Sequence, residues 1–414
     1  MKRSVVVGGG ITGLCCAYYL RQAGHDVTLI DREGFTEGCS YGNAGMITPS
    51  HFIPLAAPGV IWKGIKWMFD ARSPFRIKFR WSPDLWRWAW LFARASSAEH
   101  VLRCRQPLHE LFASSLDLYR DLAAQWAIPL KNTGILMVYN TPGGQAEEHH
   151  VAEEALRLGL RVEDVPPSRF SDYFGAQPLA ALGAVHYQDD HITIPGVFME
   201  TLRKVLVDQG VQLISGEVTQ WVNKGSRMEA VVLKSKEKIS GEHFVLCGGA
   251  WTPQLTKPFG YRLPLQAGKG YSITFDKSHF AVDYPFILTE AKVAATPLGH
   301  QFRFAGTMEV TGQDLSLNTT RLDAIKHSAQ RYFTQLEWSQ IPDQANWAGL
   351  RPVTADGMPV VGRLPGTPNI YICSGHAMVG MGLAPISGKV IAGIIEGHHV
   401  LAAQVMSTLD PSRF

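Results

Sequence analysis

The chain has 414 residues, of which 46% are hydrophobic and 18% are charged, and its formal net charge at pH 7 is +3. This length is enough for two or three domains with substantial cores. The small net charge argues against nucleic-acid binding, and no segment approaches the roughly 18 apolar residues of a membrane-spanning helix. The apolar run after Met1 is too short for a signal peptide. We therefore expect a globular protein that stays in the cytoplasm.

The six cysteines lie at positions 15, 16, 39, 104, 247 and 373. They form no C-x-x-C pair, and neither they nor the histidines at 149, 150, 186 and 191 show the spacing of a metal site. We predict reduced thiols, without a disulfide framework and without a bound metal.

The N-terminal residues have the pattern of a dinucleotide-binding unit. A short apolar strand leads into the turn GGGITG at 8–13, which is followed by a helix and a second apolar strand that ends at Asp31. Gly8 allows a tight turn, Gly10 lets the backbone approach a pyrophosphate, and Gly13 lets helix and strand pack closely. A carboxylate at Asp31 is placed to accept the hydroxyls of an adenosine ribose. The alternative is a glycine-rich loop of another α/β protein.

Residues 39–46 (CSYGNAGM) are small and polar, and they follow the acidic end of the second strand. This composition suits a loop held close to a ligand, with Ser40 and Asn43 supplying hydrogen bonds. An ordinary surface turn has the same composition.

The segment 61–105 combines aromatic and basic residues. It contains six of the eleven tryptophans, at 62, 67, 81, 86, 88 and 90, and ten lysines or arginines against three acids. Such a mixture is found at membrane–water interfaces. It also fits a partner-binding surface or the outer side of a helical domain, and the prolines at 74 and 83 interrupt any long amphipathic helix.

The rest of the chain alternates between helical and strand patterns. We predict helices at 108–126, 147–158, 195–208 and 320–336, and strands at 134–139, 211–214, 243–246, 263–275, 286–288, 301–304 and 370–373. A last helix begins after the glycine-rich stretch 374–382 and runs to about Glu396. The chain therefore enters a nucleotide-binding fold several times and leaves it between these visits.

Four motifs in this order resemble the FAD-dependent D-amino-acid oxidase superfamily, and the chain is most similar to the bacterial D-amino-acid dehydrogenases. The motifs are the turn at 8–13 with Asp31, SYGNAG at 40–45, GLRP with DGMPVVG at 349–362, and SGH through Gly382 at 374–382. The resemblance implies an α/β fold: a discontinuous, three-layer, Rossmann-like FAD-binding domain and an α+β substrate domain with a mostly antiparallel sheet. The expected boundaries are 1–50, 190–255 and 345–414 for the FAD-binding domain, and 51–189 and 256–344 for the substrate-binding domain.

The resemblance also implies which residues hold FAD. They are Gly8, Gly10, Ile11, Thr12, Gly13, Asp31, Arg32, Ser40, Asn43, Ala44, Gly45, Met46, Val218, Gly248, Gly249, Trp251, Gly349, Gly375, His376, Gly380, Met381, Gly382 and Leu383. The covalent-flavin cysteine of sarcosine oxidases falls near residues 350–351, where this chain has none, so we predict noncovalent FAD.

The resemblance places Arg351 where the superfamily binds the substrate carboxylate, and a planar guanidinium pairs well with two carboxylate oxygens. As further residues of the substrate pocket we name Tyr271, Arg303 and His51, because they lie near the family's loops.

The implied reaction is oxidation of the C–N bond of a D-amino acid to the imino acid, with electrons passed to a quinone or another acceptor. Cyclic imino acids such as D-proline and hydroxy-D-proline, or glycine and sarcosine, are alternative substrates. If 61–105 contacts the inner face of the cell membrane, a quinone becomes the natural acceptor. Three rivals remain: an FAD monooxygenase, an NAD(P)H-linked reductase, and a non-enzymatic flavin-binding subunit of a larger complex.

Overall fold

The computed structural model describes residues 1–62, 64, 73–78 and 80–414. Trp67, one of the six clustered tryptophans, lies outside the described residues. The described strands are, in chain order, β1 (Arg3–Val7), β2 (Asp26–Asp31), β3 (Met46–Ile47), β4 (Phe75–Ile77), β5 (Leu130–Lys131), β6 (Ile135–Tyr139), β7 (Val162–Val165), β8 (Gly183–Tyr187), β9 (His191–Thr193), β10 (Gln212–Ser215), β11 (Val218–Lys224), β12 (Arg227–Leu233), β13 (Lys238–Ser240), β14 (His243–Leu246), β15 (Leu265–Asp276), β16 (Phe286–Leu288), β17 (Val293–Leu298), β18 (Gln301–Val310), β19 (Ala345–Thr354), β20 (Val360–Arg363) and β21 (Ile370–Ser374). The described α-helices are α1 (Ile11–Gln22), α2 (Pro83–Ala95), α3 (Ala98–Trp126), α4 (Pro142–Arg157), α5 (Phe170–Phe174), α6 (Pro195–Asp208), α7 (Thr252–Thr256), α8 (Thr319–Tyr332), α9 (Gly380–Glu396) and α10 (Ala403–Leu409).

A six-stranded sheet forms the middle of a three-layer unit. Its order is β10-β2-β1-β14-β21-β20, and its pairs are parallel except for β20 with β21. Alternate side chains of a strand point to opposite faces, so Val6 packs with α1, α6 and α9, whereas Val5 and Val7 pack towards the small sheet β11-β12-β13. This arrangement confirms the predicted Rossmann-like architecture.

A second sheet is mostly antiparallel, as predicted. Its order is β19-β15-β18-β17-β16-β6-β8-β7, with β4 beside β18. Within it, β16 with β6 and β4 with β18 are parallel pairs. One face carries a cluster of aromatic side chains, including Phe275, Phe302 and Phe304, against which α8 packs. The opposite face is free to form the wall of a cavity.

Three helices differ from their predicted bounds, and one of them, α4, begins at Pro142, five residues before its predicted start. Helix α3 begins at Ala98, ten residues before the predicted start, because the Ser97 side chain accepts a hydrogen bond from the backbone N–H of His100 at 3.2 Å. It continues through Pro107, whose cost in a helix interior is offset by a long buried face. Helix α8 ends at Tyr332, four residues before the predicted end.

Three cysteines that are far apart in sequence meet in the core. The sulfur atoms of Cys16 on α1, Cys247 after β14 and Cys373 on β21 lie within 4.8 Å of one another, and all three residues are buried. Sequence spacing gave no sign of this cluster, since each thiol comes from a different element.

Candidate active site

A cavity of 1070 Å³ runs along the carboxyl ends of β1 and β2, past the N-terminus of α9, to the free face of the antiparallel sheet. Of the predicted residues, those that line it are Gly8, Gly10, Ile11, Thr12, Asp31, Arg32, Ser40, Asn43, Ala44, Met46, His51, Val218, Gly248, Gly249, Trp251, Tyr271, Gly349, Arg351, His376, Gly380 and Met381. Residues from every predicted motif therefore come together around one space.

Six predicted residues are not among those lining the cavity: Gly13, Gly45, Arg303, Gly375, Gly382 and Leu383. The glycines in this set allow close packing behind the cavity wall. A Cβ atom at Gly45 would lie 2.2 Å from the carbonyl oxygen of Thr193, and one at Gly382 would lie 2.8 Å from the Phe112 ring. Leu383 is fully buried in the core.

The first glycine turn has the geometry that its sequence predicts. Gly8 has a φ of 112°, and a Cβ atom there would lie 2.4 Å from the carbonyl oxygen of Cys247. A Cβ atom at Gly13 would lie 1.8 Å from the carbonyl oxygen of Gly8, whereas the nearest atom to one at Gly10 is 3.4 Å away. The turn is thus tight behind Gly8 and Gly13 and open at Gly10, where a phosphate group has room to approach.

Asp31 stands at the end of β2 beside this turn. Its carboxylate accepts hydrogen bonds from the backbone N–H groups of Gly9 at 2.7 Å and Glu33 at 2.8 Å, and each oxygen keeps a lone pair for a further donor. The guanidinium of Arg32 lies 3.9 Å from the centre of the Trp251 ring, which gives this end of the cavity a flat aromatic wall. Both features suit an adenosine.

The N-terminus of α9 closes the cavity further along. No acidic residue lies in its first turn and no side chain caps it, so its N–H groups and partial positive charge are available at the cavity. The neighbouring His376 is buried and shares a hydrogen bond of 2.8 Å between its Nε2 and the Ser387 hydroxyl. Burial lowers the pKa of His376, so the imidazole is neutral at pH 7.

Arg351 on β19 lies inside the cavity and not in the core. Its Nη1 donates to the backbone carbonyl of Thr307 at 2.5 Å, and the guanidinium lies over Gly270 of the adjacent strand. Among the described residues no carboxylate pairs with it. Burial lowers the pKa of this guanidinium to about 10, which leaves it charged at pH 7. A cation that lines a cavity and has no carboxylate partner in the described part of the chain is a strong candidate for binding a ligand carboxylate.

The backbone around Arg351 is adapted to this placement. The ladder between β15 and β18 shifts register between Lys269 and Tyr271, and Thr307 opposite the shift has a φ of 58°. Such a left-handed residue is costly for a β-branched side chain and occurs mainly at functional sites. Here it aims a carbonyl oxygen at the guanidinium.

Tyr271 lines the cavity, but its hydroxyl is directed to a protein carboxylate in this structure. The Tyr271 hydroxyl donates to Glu309 at 2.6 Å, and Glu309 pairs with Arg321 in the core behind the sheet. Only 1% of Tyr271 is exposed. A hydroxyl held by a buried carboxylate is not available to a ligand.

Arg303, also predicted for the substrate pocket, is not among the residues that line the cavity. It donates to the carbonyl oxygens of Tyr41 at 2.9 Å and Asn43 at 2.6 Å, and to the Thr274 hydroxyl at 2.9 Å. It therefore fastens the 40–45 loop to the antiparallel sheet.

His51 lines the cavity and is linked to two residues that the sequence did not reveal. Its Nδ1 lies 3.2 Å from the Ser50 hydroxyl, which donates to the buried carboxylate of Asp190 at 2.5 Å. Asp190 is 140 residues away in sequence, so no local signal could have found it. Lys292 and Glu148, also missed, line the same part of the cavity.

Trp347 and Cys39 were missed as well. The Trp347 ring packs directly on two glycines, since a Cβ atom at Gly42 would lie 2.2 Å from the ring and one at Gly349 would lie 1.9 Å from it. The ring therefore lies between the motif SYGNAG at 40–45 and the motif GLRP at 349–352. The sulfur of Cys39 accepts a hydrogen bond of 3.1 Å from the backbone N–H of Leu350. A thiol thus lies beside position 350, although the sequence has none at that position.

A family model described as FAD dependent oxidoreductase matches residues 3–394. The chain belongs to this family. It is 32% identical over 405 residues to a D-amino acid dehydrogenase of Paramagnetospirillum magneticum, with 95% of this chain and 94% of that protein covered. It is 30% identical to a D-amino acid dehydrogenase of a Methylobacterium species, with 96% of each chain covered.

Solved structures with the same fold include glycine oxidase from Geobacillus kaustophilus, with a TM-score of 0.79, 18% identity and 100% of both chains covered. L-proline dehydrogenase from P. horikoshii has a TM-score of 0.78 and 18% identity, with 100% of this chain and 97% of that chain covered. The cofactor of this family member is FAD, and the open glycine turn, Asp31 and the N-termini of α1 and α9 fit its diphosphate, ribose and flavin. Among the described residues, no helix is long and apolar enough to cross a membrane.

Proposed function

We propose that this protein is a D-amino-acid dehydrogenase, which oxidises the C–N bond of a D-amino acid to the imino acid. Water then converts the imino acid to the 2-oxo acid and ammonia. The observation that carries the proposal is the guanidinium of Arg351, which lines the cavity of an FAD-dependent oxidoreductase and pairs with no carboxylate among the described residues. The relatives named D-amino acid dehydrogenase support the choice of substrate class.

The bound flavin supplies the acceptor for the two electrons, as a hydride from the substrate α-carbon. The protein's task is to hold that carbon, because productive transfer needs reacting atoms about 3–3.5 Å apart. Arg351 binds the carboxylate through two parallel N–H···O hydrogen bonds and so fixes the orientation of the α-carbon relative to the flavin. The antiparallel sheet keeps Arg351 itself in place through Thr307 and Gly270.

For the cofactor, we propose the predicted cavity-lining residues as its contacts, with Asp31 on the ribose and the 8–13 turn on the diphosphate. The remaining predicted glycines support these contacts from behind. We also propose the boundaries 1–50, 190–255 and 345–414 for the FAD-binding domain and 51–189 and 256–344 for the substrate-binding domain. The return of the chain to the six-stranded sheet in β1–β2, β10, β14 and β20–β21 supports this division. Strand β19 (Ala345–Thr354) is the exception, because it lies within the range 345–414 but pairs with β15 of the antiparallel sheet.

Anaerobic mixing of the FAD-loaded protein with D-, L- and cyclic amino acids tests the proposal. We expect the flavin absorbance near 450 nm, a general property of oxidised flavins, to bleach with D-amino acids. Bleaching only by proline-type imino acids, or only by glycine and sarcosine, would move the assignment to the alternatives suggested by the glycine oxidase and L-proline dehydrogenase folds. Bleaching by NADPH alone would replace it with a reductase.

We further propose that the electrons pass to a quinone at the inner face of the cell membrane, with the protein itself in the cytoplasm. All six cysteines are free thiols, which is usual for cytoplasmic proteins. In the described part of 61–105, Trp62 and Trp90 are 76% and 58% exposed, whereas Trp88 is buried and donates to the Val353 carbonyl. Exposed tryptophans beside arginines suit an anionic lipid surface.

Flotation with anionic vesicles tests the membrane contact. We expect binding that weakens in a Trp62→Ala, Trp90→Ala double variant and is retained in Trp221→Ala, which lies outside 61–105 in sequence and whose ring packs on Phe259. A wild-type protein that stays at the bottom of the gradient would refute the contact without affecting the proposed oxidation.

A further inference from the structure

Ser50 joins the cavity to a buried acid. Its backbone N–H donates to Asp190 Oδ1 at 3.1 Å, and its hydroxyl donates to Asp190 Oδ2 at 2.5 Å. A serine hydroxyl has a single proton. Because that proton is directed to Asp190, the 3.2 Å contact between Ser50 Oγ and His51 Nδ1 requires His51 to be the donor. The Nδ1 atom therefore carries the hydrogen, and Nε2 carries a lone pair.

This lone pair belongs to a ring that lines the cavity. In the described part of the chain, no hydrogen bond joins His51 Nε2 to another residue. The charged groups around it are Lys292 before β17, Glu147 and Glu148 on α4, and Asp189 next to Asp190. The His51 imidazole is neutral, and its Nε2 is a proton acceptor among these charged groups.

The imidazole and Arg351 face the same part of the cavity. Ala294 pairs with Ala305 in the antiparallel ladder between β17 and β18, and continuing that register brings Lys292 beside Thr307. The Thr307 carbonyl accepts from Arg351, and the charge of Lys292 acts on His51. A ligand carboxylate at Arg351 thus places the rest of a small amino acid on the side of His51.

An amino acid needs a base at this point. It arrives as an ammonium ion, whose nitrogen has no lone pair to form the C=N bond, so one proton must leave before a hydride can. We propose that His51 Nε2 accepts this proton and that Ser50 relays a proton onward to Asp190. This inference rests on the proposed amino-acid oxidation and assigns the groups that make the substrate reactive.

The transfers balance. The N–H bond of the ammonium breaks and an N–H bond forms at His51 Nε2, the Nδ1 proton moves to Ser50 Oγ, and the Ser50 proton moves to Asp190 Oδ2. One proton leaves the substrate and one arrives at Asp190, with no change in electron count along the relay. With FAD bound, the flavin would accept the α-hydrogen of this neutral amine as a hydride, and the nitrogen lone pair would form the C=N bond of the iminium ion.

The pKa values of His51 and Asp190 favour transfer of the proton along the whole relay. Burial and the charge of Lys292 lower the pKa of His51 to about 4, so an imidazolium does not persist. Burial raises the pKa of Asp190 to about 7, although the two hydrogen bonds from Ser50 act in the opposite direction. Asp190 is therefore a stronger base than His51 and holds the proton at the end of the relay. Because Asp190 must be ionised to accept this proton, kcat should rise with pH through about 7.

Asp190→Asn tests the relay with little change in shape. The asparagine NH2 donates to Ser50 Oγ, so the Ser50 hydroxyl turns to His51 Nδ1 and the hydrogen of the imidazole moves to Nε2, as in a triad whose Asp becomes Asn. We expect kcat for a D-amino acid at pH 7 to fall by about 10²-fold or more and its rise near pH 7 to vanish. Asp172→Asn is the matched control, because Asp172 pairs with Arg169 and does not line the cavity. Ser50→Ala should lose activity, and Ser50→Thr, which keeps the hydroxyl, should recover most of it.

A second readout does not depend on turnover. In ¹⁵N-histidine spectra we expect His51 to carry its hydrogen on Nδ1 in the wild type and on Nε2 in Asp190→Asn. A wild-type hydrogen on Nε2 would overturn the relay. So would a wild type and an Asp190→Asn variant that oxidise D-amino acids with the same kcat and the same pH profile. A wild type that oxidises no amino acid would instead overturn the proposed function, and the relay with it.

Discussion

Gly270→Ala should displace the guanidinium of Arg351 without changing any charged group. A Cβ atom at Gly270 would lie 2.2 Å from Arg351 Cζ and 2.3 Å from both terminal nitrogens. The guanidinium must therefore retreat by about 1.2 Å or more to reach an ordinary contact distance, and its bond to the Thr307 carbonyl breaks. A misplacement of about 1 Å in a positioning group can cost about 10²-fold in rate. We expect kcat/KM for a D-amino acid to fall by about that factor.

The assay is dye-coupled oxidation of a D-amino acid by the FAD-loaded variants. Gly268→Ala is the matched control on the same strand, since its Cβ would meet only the Val353 and Met308 side chains, at 3.0 Å and 3.2 Å. Arg351→Met should cost about 2–5 kcal/mol in transition-state binding, because it removes one side of a buried charged pair. Adding Gly270→Ala to Arg351→Met should then cost nothing more. A Gly270→Ala enzyme with wild-type kcat/KM, or additive losses in the double variant, would refute the reasoning.

Three further predictions concern the cofactor and stability. Asp31→Ala should weaken FAD binding by about tenfold or more, since a hydrogen bond to a charged group contributes about 1.5–3 kcal/mol; fluorescence titration measures this, and Asp26→Ala at the exposed start of β2 is the control. Acid precipitation of the protein should release all flavin into the supernatant, because burial raises the pKa of Cys39 and keeps its thiol protonated and unreactive. A precipitate that keeps the flavin colour in the wild type and loses it in Cys39→Ser would contradict noncovalent binding. Burial raises the pKa of Glu148 to about 7, so its contribution to stability is lost as pH rises from about 4.5 through 7. Glu148→Gln should therefore stabilise the protein by on the order of 2 kcal/mol more at pH 8 than at pH 5; equal shifts in Tm at both pH values would contradict this.

The parts of the fold that local patterns specify were predictable from the sequence. The predicted strand, glycine turn, helix and strand at the N-terminus correspond to β1, α1 and β2, each within a few residues of its expected bounds. The spacing of Gly8 and Gly13 is fixed by contacts within that one unit, which is why sequence reasoning identified it. The same holds for the last helix, whose start at Gly380 follows a glycine-rich turn.

The substrate side was less predictable, because its contacts cross long sequence separations. Tyr271 and Arg303 lie on strands of the predicted sheet, but the direction of their side chains depends on the register of β15 and β18. A one-residue shift in register exchanges the two faces of a strand, and the bulge at Lys269–Tyr271 is such a shift. Without the register, a tyrosine that faces the core cannot be told from one that faces a ligand.

Arg303 and the pair Ser50–Asp190 indicate how the site is held together. Nucleotide-binding elements belong to the six-stranded sheet, whereas Arg351 belongs to the antiparallel sheet, so the distance between flavin and substrate depends on how the two are joined. Arg303 makes one such junction, since it rises from β18 and donates to two carbonyl groups of the 40–45 loop. Ser50 and Asp190 make another, because Asp190 immediately precedes β9, which pairs with β3. Residues that join the two sheets therefore determine the distance over which the hydride is transferred, as do residues that contact the substrate.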